Sequence, residues 1–162
     1  MKILIMALSF LFLPLTASAV VEVAFIEMRT PDGKVLQLEK GGRFAHIAIS
    51  YRGQWLHAHP FYGVEVVESE KLERIGVIKE VLTVSELVSL DNEEVARFLG
   101  KPFDSSYSWS DEKIYCSELV GKLLRLKPLP MDFSAEVWPE RYRKLNGAPG
   151  LSPDGIYRIL SR

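Results

Sequence analysis

The chain has 162 residues, of which 48% are apolar and 25% are charged, values typical of a single globular domain. Its formal net charge at pH 7 is -1, so overall charge gives no reason to expect binding to nucleic acid or to an anionic membrane surface. The sequence has no lysine- or arginine-rich tract, no glycine-rich phosphate loop and no low-complexity segment. We therefore expect no nucleic-acid partner.

The N-terminal segment has the pattern of a secretory signal peptide. Lys2 supplies a positive charge, residues 3–15 are almost wholly apolar, and residues 17–19 (ASA) have the small-x-small form of a signal-peptidase site. The apolar run is shorter than the about 20 residues that a membrane-spanning helix needs. We predict a signal peptide over residues 1–19, one mature domain over residues 20–162, a periplasmic or secreted location and no stable membrane span.

Strand patterns dominate the first half of the mature chain. Runs rich in β-branched and apolar residues alternate with turn residues, which is typical of short strands. The predicted strands cover residues 20–28, 35–38, 44–51, 54–59, 64–67 and 76–83. Arg52-Gly53 is a tight-turn pair, so the third and fourth of these strands should form a hairpin.

Helical patterns follow in the second half. Asp91 is a plausible N-cap for a helix over residues 93–99, and residues 115–126 carry apolar side chains at helical spacing. We predict a short amphipathic helix within residues 134–145 and a last strand over residues 155–160. Because the strands precede the helices with little alternation, the predicted class is α+β with a mainly antiparallel sheet.

Cys116 is the only cysteine, so it has no partner for an internal disulfide. An unpaired cysteine in an exported protein suggests a reactive thiol or an intermolecular bond. It lies where a polar loop meets a helical pattern, and the free N–H groups and dipole of a helix N-terminus favour a thiolate and can bind an oxyanion. The alternative is that Cys116 only packs on the apolar face of the helix with Leu119 and Leu123.

A thiol nucleophile needs a base, and three histidines are candidates: His46, His57 and His59. His46 lies in the predicted strand FAHIAISY, and His57 and His59 share one face of the partner strand. Strand pairing would bring His46 and His57 together, so that one ring could orient the other. The strand pattern alone leaves open which ring is the base and which one orients it.

Other chemistries are less well supported by the sequence. Three histidines and one cysteine could bind zinc, but there is no second cysteine and no His-Glu-x-x-His motif. A Gly-x-Ser-x-Gly motif is also absent. The charged side chains within residues 65–74 have the pattern of an exposed face. We therefore expect no metal and no cofactor.

The sequence resembles the permuted papain-like hydrolases of the NlpC/P60 superfamily, in particular the YiiX/YebB-like (YaeF-like) group. The similarity extends over nearly the whole mature chain and is strongest in residues 100–104 (GKPFD) and 114–120 (IYCSELV). Residues 44–49 (FAHIAI) look like the family's histidine strand, and Leu56-His57-Ala58 is similar to the strand that carries the third polar residue.

The resemblance implies a circularly permuted papain-like fold whose sheet packs against the cysteine helix. It implies a cysteine amidase, peptidase or acyl hydrolase in which Cys116 is the nucleophile, His46 the base and His57 the third site residue that orients the base. His59 is the rival for this third role. The expected substrates are peptidoglycan stem-peptide amides, other small peptides or lipid acyl groups. Many relatives have a glutamate where this chain has His57, so a catalytically silent binding domain of the same fold remains the alternative.

Overall fold

A computed structural model describes residues 20–84, 90–134 and 136–162 of the chain. The predicted signal peptide and its cleavage site lie outside these residues. The centre of the molecule is a five-stranded sheet in the order β4-β3-β2-β1-β5, with every neighbouring pair antiparallel. Its strands are β1 (Glu22–Glu27), β2 (His46–Tyr51), β3 (Gln54–His59), β4 (Gly63–Val67) and β5 (Val77–Thr83).

Within the described residues, four α-helices and a small second sheet accompany the main sheet. The helices are α1 (Ser69–Glu73), α2 (Asn92–Phe98), α3 (Cys116–Leu123) and α4 (Pro153–Leu160). Two short strands, β6 (Leu129–Pro130) and β7 (Pro149–Gly150), pair with each other and flank a 3₁₀ helix over Glu140–Leu145. The predicted class, α+β with a mainly antiparallel sheet, is confirmed. No helix in the described part of the chain has the length and apolarity to cross a bilayer.

Alternation along the strands gives the sheet two different faces. One face buries Phe25, Ile47 and Leu56 in the main core together with α3. The opposite face buries Ala48 in a smaller cluster with Leu72 of α1. The sheet therefore separates the cysteine helix from α1.

The β2–β3 hairpin forms as predicted. Arg52 and Gly53 both have positive φ angles, 53° and 78°, as a two-residue turn matched to the twist of the strands requires. The ladder pairs Tyr51 with Gln54 and continues to Ile49 and Leu56. This register is what brings the two histidine-bearing strands side by side.

Three predicted elements differ from the structure. Residues 155–160 form part of α4 and not a strand, because Ser152 caps a helix that has Pro153 at its first position, and the Ser152 hydroxyl accepts a hydrogen bond from the Gly155 N–H at 2.8 Å. Residues 35–38 make only one bridge, between Arg29 and Val35. The helix predicted within residues 134–145 is the 3₁₀ helix that follows Pro139.

Candidate active site

Cys116 is the first residue of α3, as the sequence predicts. The helix begins there because Glu118 folds back and accepts a hydrogen bond from the N–H of Tyr115 at 3.3 Å. Glu118 is itself buried and also accepts from the N–H of Ser110 and from Lys122 Nζ, which is 3.0 Å away. The start of the helix, and with it Cys116, is fixed by this buried carboxylate.

The Cys116 thiol is buried and neutral at pH 7. Burial raises the pKa of the Cys116 thiol to about 11, although the backbone N–H groups of Ser117, Ile47 and Cys116 itself oppose this rise. The helix N-terminus favours a thiolate, but at this position the loss of hydration outweighs the hydrogen bonds to the sulfur. The contribution of Ile47 shows that the thiol lies against the backbone of β2, at the residue that follows His46 in the chain.

His46 and His57 meet across the β2–β3 hairpin. Nε2 of His46 lies 2.8 Å from Nδ1 of His57, and the two rings are nearly perpendicular, at 85°. Burial and the two neighbouring histidines lower the pKa of His46 to about 3. Burial lowers the pKa of His57 to about 4, against the opposing effect of Glu65. Both rings are therefore neutral at pH 7, and each has one nitrogen that donates and one that accepts.

Glu65 lies beyond His57 and continues this row of polar side chains. Strand β4 pairs with β3 so that Glu65 is directly opposite His57, and Oε1 of Glu65 lies 3.5 Å from Nε2 of His57. The other carboxylate oxygen, Oε2, is 2.6 Å from Nζ of Lys71. The charge pattern of residues 65–74 predicts an exposed position for Glu65, whereas its side chain is only 22% exposed.

His59 lies near this row but makes different contacts. Its Nδ1 accepts a hydrogen bond from the N–H of Phe61 at 3.1 Å, and its ring stacks on Tyr62 with centroids 4.8 Å apart. The ring centroids of His57 and His59 are 6.0 Å apart. In the structure, then, His57 contacts His46 while His59 is held by the β3–β4 turn.

Cys116 and His46 line the same cleft, which has a volume of about 440 Å³. It opens beside the N-terminus of α3 and the start of β2. Most of its wall is apolar or aromatic and includes Leu36, Leu38, Phe103, Tyr107, Phe133 and Trp138. Since Nε2 of His46 contacts His57, Nδ1 is the ring nitrogen that remains for chemistry in the cleft.

The residues of the site do not fit a zinc centre. Within residues 20–84, 90–134 and 136–162, no three histidine, cysteine or carboxylate side chains are grouped as a metal would need. Nε2 of His46 and Nδ1 of His57 face each other as hydrogen-bond partners, so these two nitrogens are not available together as ligands.

Comparisons with known proteins give a structural likeness and a short sequence match. No protein-family model matches the sequence. The chain shares 63% identity over 27 residues with the uncharacterized protein YiiX of Escherichia coli K12, a match that covers 17% of this chain and 13% of that protein. A crystal structure described as metalloprotein yiiX from Escherichia coli O157:H7 superposes with a TM-score of 0.59 and 18% identity, over 85% of this chain and 91% of that one. The protein therefore has a YiiX-like α+β fold.

Proposed function

We propose that the protein is an exported cysteine hydrolase of the NlpC/P60 superfamily with a circularly permuted papain-like fold. The observation that carries this proposal is that Cys116 and His46 line one apolar cleft while the far nitrogen of His46 is hydrogen-bonded to His57. Hydrolysis by a cysteine nucleophile also requires a base and a group that orients the base. The histidine strand β2 precedes the cysteine helix α3, which is the order that a permuted papain-like chain has.

The reaction starts from neutral groups, because burial raises the pKa of the thiol and lowers that of His46. As Sγ of Cys116 bonds to the acyl carbon, Nδ1 of His46 accepts the thiol proton. The resulting imidazolium gives this proton to the leaving alcohol or amine, and a thioester forms on Cys116. Water then attacks the thioester with His46 as the base, which releases the acid and regenerates the thiol. Backbone N–H groups in the first turn of α3 supply donors for the oxyanion.

The walls of the cleft favour an apolar acyl group as substrate. Among the cleft-lining residues in the described part of the chain, Asp132 is the only one that carries a formal charge at pH 7. A peptidoglycan stem peptide carries several charged groups, whose burial without partners is costly. A lipid ester, thioester or amide with a medium-length acyl chain matches this lining better.

Acylation of Cys116 tests the proposal directly. The protein is incubated with p-nitrophenyl octanoate, p-nitrophenyl acetate and a stem-peptide amide, and intact mass and product release are followed. We expect a transient octanoyl adduct on the wild-type chain, faster turnover of the octanoate than of the acetate, and neither adduct nor turnover with Cys116→Ala. His46→Ala should lower the rate of adduct formation by at least about 100-fold. Full hydrolysis by Cys116→Ala would place the nucleophile elsewhere.

A catalytically silent binding domain is the second candidate, and the raised pKa of the buried thiol is the observation that favours it. Such a domain would bind octanoate in the same cleft without forming a bond to Cys116. Calorimetry of the wild-type chain with octanoate and long incubation with the octanoyl ester distinguish the two functions. Binding without adduct or turnover supports the silent domain, whereas an adduct on Cys116 supports the hydrolase.

A further inference from the structure

The atoms between His57 and Glu65 form an unusual buried contact. Nε2 of His57 and Oε1 of Glu65 are both buried, and in the described part of the chain neither has a partner that meets the usual geometric limits of a hydrogen bond. They face each other at 3.5 Å, and strand pairing holds their two backbones in register. A buried polar atom without a partner is costly, and a small side-chain shift turns this contact into a hydrogen bond.

The direction of the hydrogen bonds follows from what each group can donate. Ionised Glu65 can only accept, so the proton of a neutral His57 ring belongs on Nε2. Nδ1 of His57 then accepts, and Nε2 of His46 must carry the proton that it donates. This leaves Nδ1 of His46 with its lone pair, the form that a base in the cleft requires. One carboxylate thus determines the protonated nitrogen in two successive rings.

We propose that Glu65 is a positioning residue that selects the base form of His46 by acting through His57. This inference rests on the function proposed above and adds a fourth member to the Cys116, His46 and His57 site. Without Glu65, the proton of His57 could move to Nδ1. Nε2 of His46 would then have to accept a hydrogen bond from this N–H. The proton of His46 would lie on Nδ1, which could no longer accept the proton of the Cys116 thiol.

Lys71 supports this role of Glu65 from the other side of the carboxylate. Its ammonium lies 2.6 Å from Oε2 of Glu65, on the face of the sheet that α1 covers. This ion pair holds Oε2 and leaves Oε1 facing His57. The charged or titratable groups that act on His57 are Glu65, His59 and Lys71, and His46 contacts it on the opposite side. Of these, Glu65 is the one that faces Nε2.

The test compares Glu65→Leu and Glu65→Gln with Glu70→Leu, which removes an exposed glutamate in α1 and serves as the matched control. Hydrolysis of p-nitrophenyl octanoate gives kcat and KM, and the ¹⁵N shifts of the histidine rings show which nitrogen carries the proton. Glu65→Leu should lower kcat by about 100-fold with little change in KM, in the range of general-base effects. Glu65→Gln should show a smaller fall in kcat, because its amide oxygen can still accept a hydrogen bond from His57. Glu70→Leu should match the wild type.

The ring-nitrogen readout separates the positioning role from a merely structural one. In the wild type we expect His46 and His57 both protonated at Nε2, and in Glu65→Leu both protonated at Nδ1. Unchanged ring protonation together with unchanged kcat in a folded Glu65→Leu variant would overturn the inference. Full activity of Cys116→Ala would instead overturn the hydrolase, while the ring protonation of the wild type would still report on Glu65.

Discussion

Nε2 of His46 lies 2.8 Å from Nδ1 of His57, although the two residues belong to different strands and are 11 positions apart. The contact depends on the hairpin register, because a shift of one residue would turn His57 to the other face of the sheet. It uses one nitrogen of each ring and leaves the opposite nitrogens, Nδ1 of His46 and Nε2 of His57, at the two ends of the pair. The pair thus links the cleft to Glu65.

His57 and His59 should differ in their effect on the reaction. His57→Ala removes the acceptor for Nε2 of His46, so we expect kcat for p-nitrophenyl octanoate to fall by about 10- to 100-fold. His59→Ala removes a stacking contact with Tyr62 and should change kcat by less than about 3-fold. His57→Gln, which restores an acceptor, should recover part of the loss. Equal losses for the two alanine variants would contradict the assignment of His57 to this role.

The buried thiol should react slowly with alkylating agents at neutral pH. Because burial raises the pKa of Cys116 to about 11, the rate of alkylation by iodoacetamide should keep rising to above pH 9. At pH 7 it should be well below the rate of the same protein unfolded in urea. Cys116 is the only cysteine, so intact mass reports this site alone. A rate that levels off below about pH 8 would show that the thiol and His46 form an ion pair in the resting protein.

The sequence predicts the His46–His57 pair because its signals are local. The strand pattern around His46, the turn pair Arg52-Gly53 and the alternation of β3 together determine the hairpin. Glu65 was missed because its charged neighbours within residues 65–74 form a pattern that is usual for exposed surfaces. The signal that could have found it is the pairing of β4 with β3, which places Glu65 opposite His57.

Helix α4 and the pKa of Cys116 are harder to predict from the sequence. The first depends on a helix cap that competes with strand propensity, and the second depends on tertiary packing. The isoleucines of residues 155–160 favoured a strand, but Ser152 and Pro153 start a helix that buries Ile156. The pKa of Cys116 could not be read from its position at a helix N-terminus, since burial against β2 decides its direction.

Gly63, the first residue of β4, should tolerate substitution poorly. Its φ angle is +72°, and a Cβ atom would lie 2.2 Å from the backbone oxygen of Lys101. Gly53, at φ +78° with no atom within 4 Å of a Cβ, is the matched control. We expect Gly63→Ala to lower the free energy of unfolding in urea by about 3 kcal/mol and Gly53→Ala by about 1 kcal/mol. Similar losses for both would show that the backbone around Lys101 gives way.

Acid should destabilise the fold through the buried histidine pair. The pKa of His46 is lowered from 6.5 to about 3 and that of His57 from 6.5 to about 4. Between each lowered value and pH 6.5, that histidine binds a proton more readily in the unfolded chain than in the folded one. Their contribution to stability is complete above about pH 6.5 and is lost as pH falls, with a slope of up to about 1.4 kcal/mol per pH unit for each histidine.

The double variant His46→Gln/His57→Gln isolates this effect. Glu118 titrates with the opposite sign, because burial raises its pKa to about 7 and the folded chain therefore holds that proton more tightly than the unfolded one. The difference in unfolding free energy between wild type and variant cancels the Glu118 contribution, which is common to both. We expect urea unfolding between pH 7.5 and pH 4.5 to show the wild type losing stability relative to the variant as pH falls. If the difference in unfolding free energy did not depend on pH, the two histidines would not be buried as neutral rings. The hydrogen-bond directions inferred from Glu65 through His57 to His46 would then be wrong.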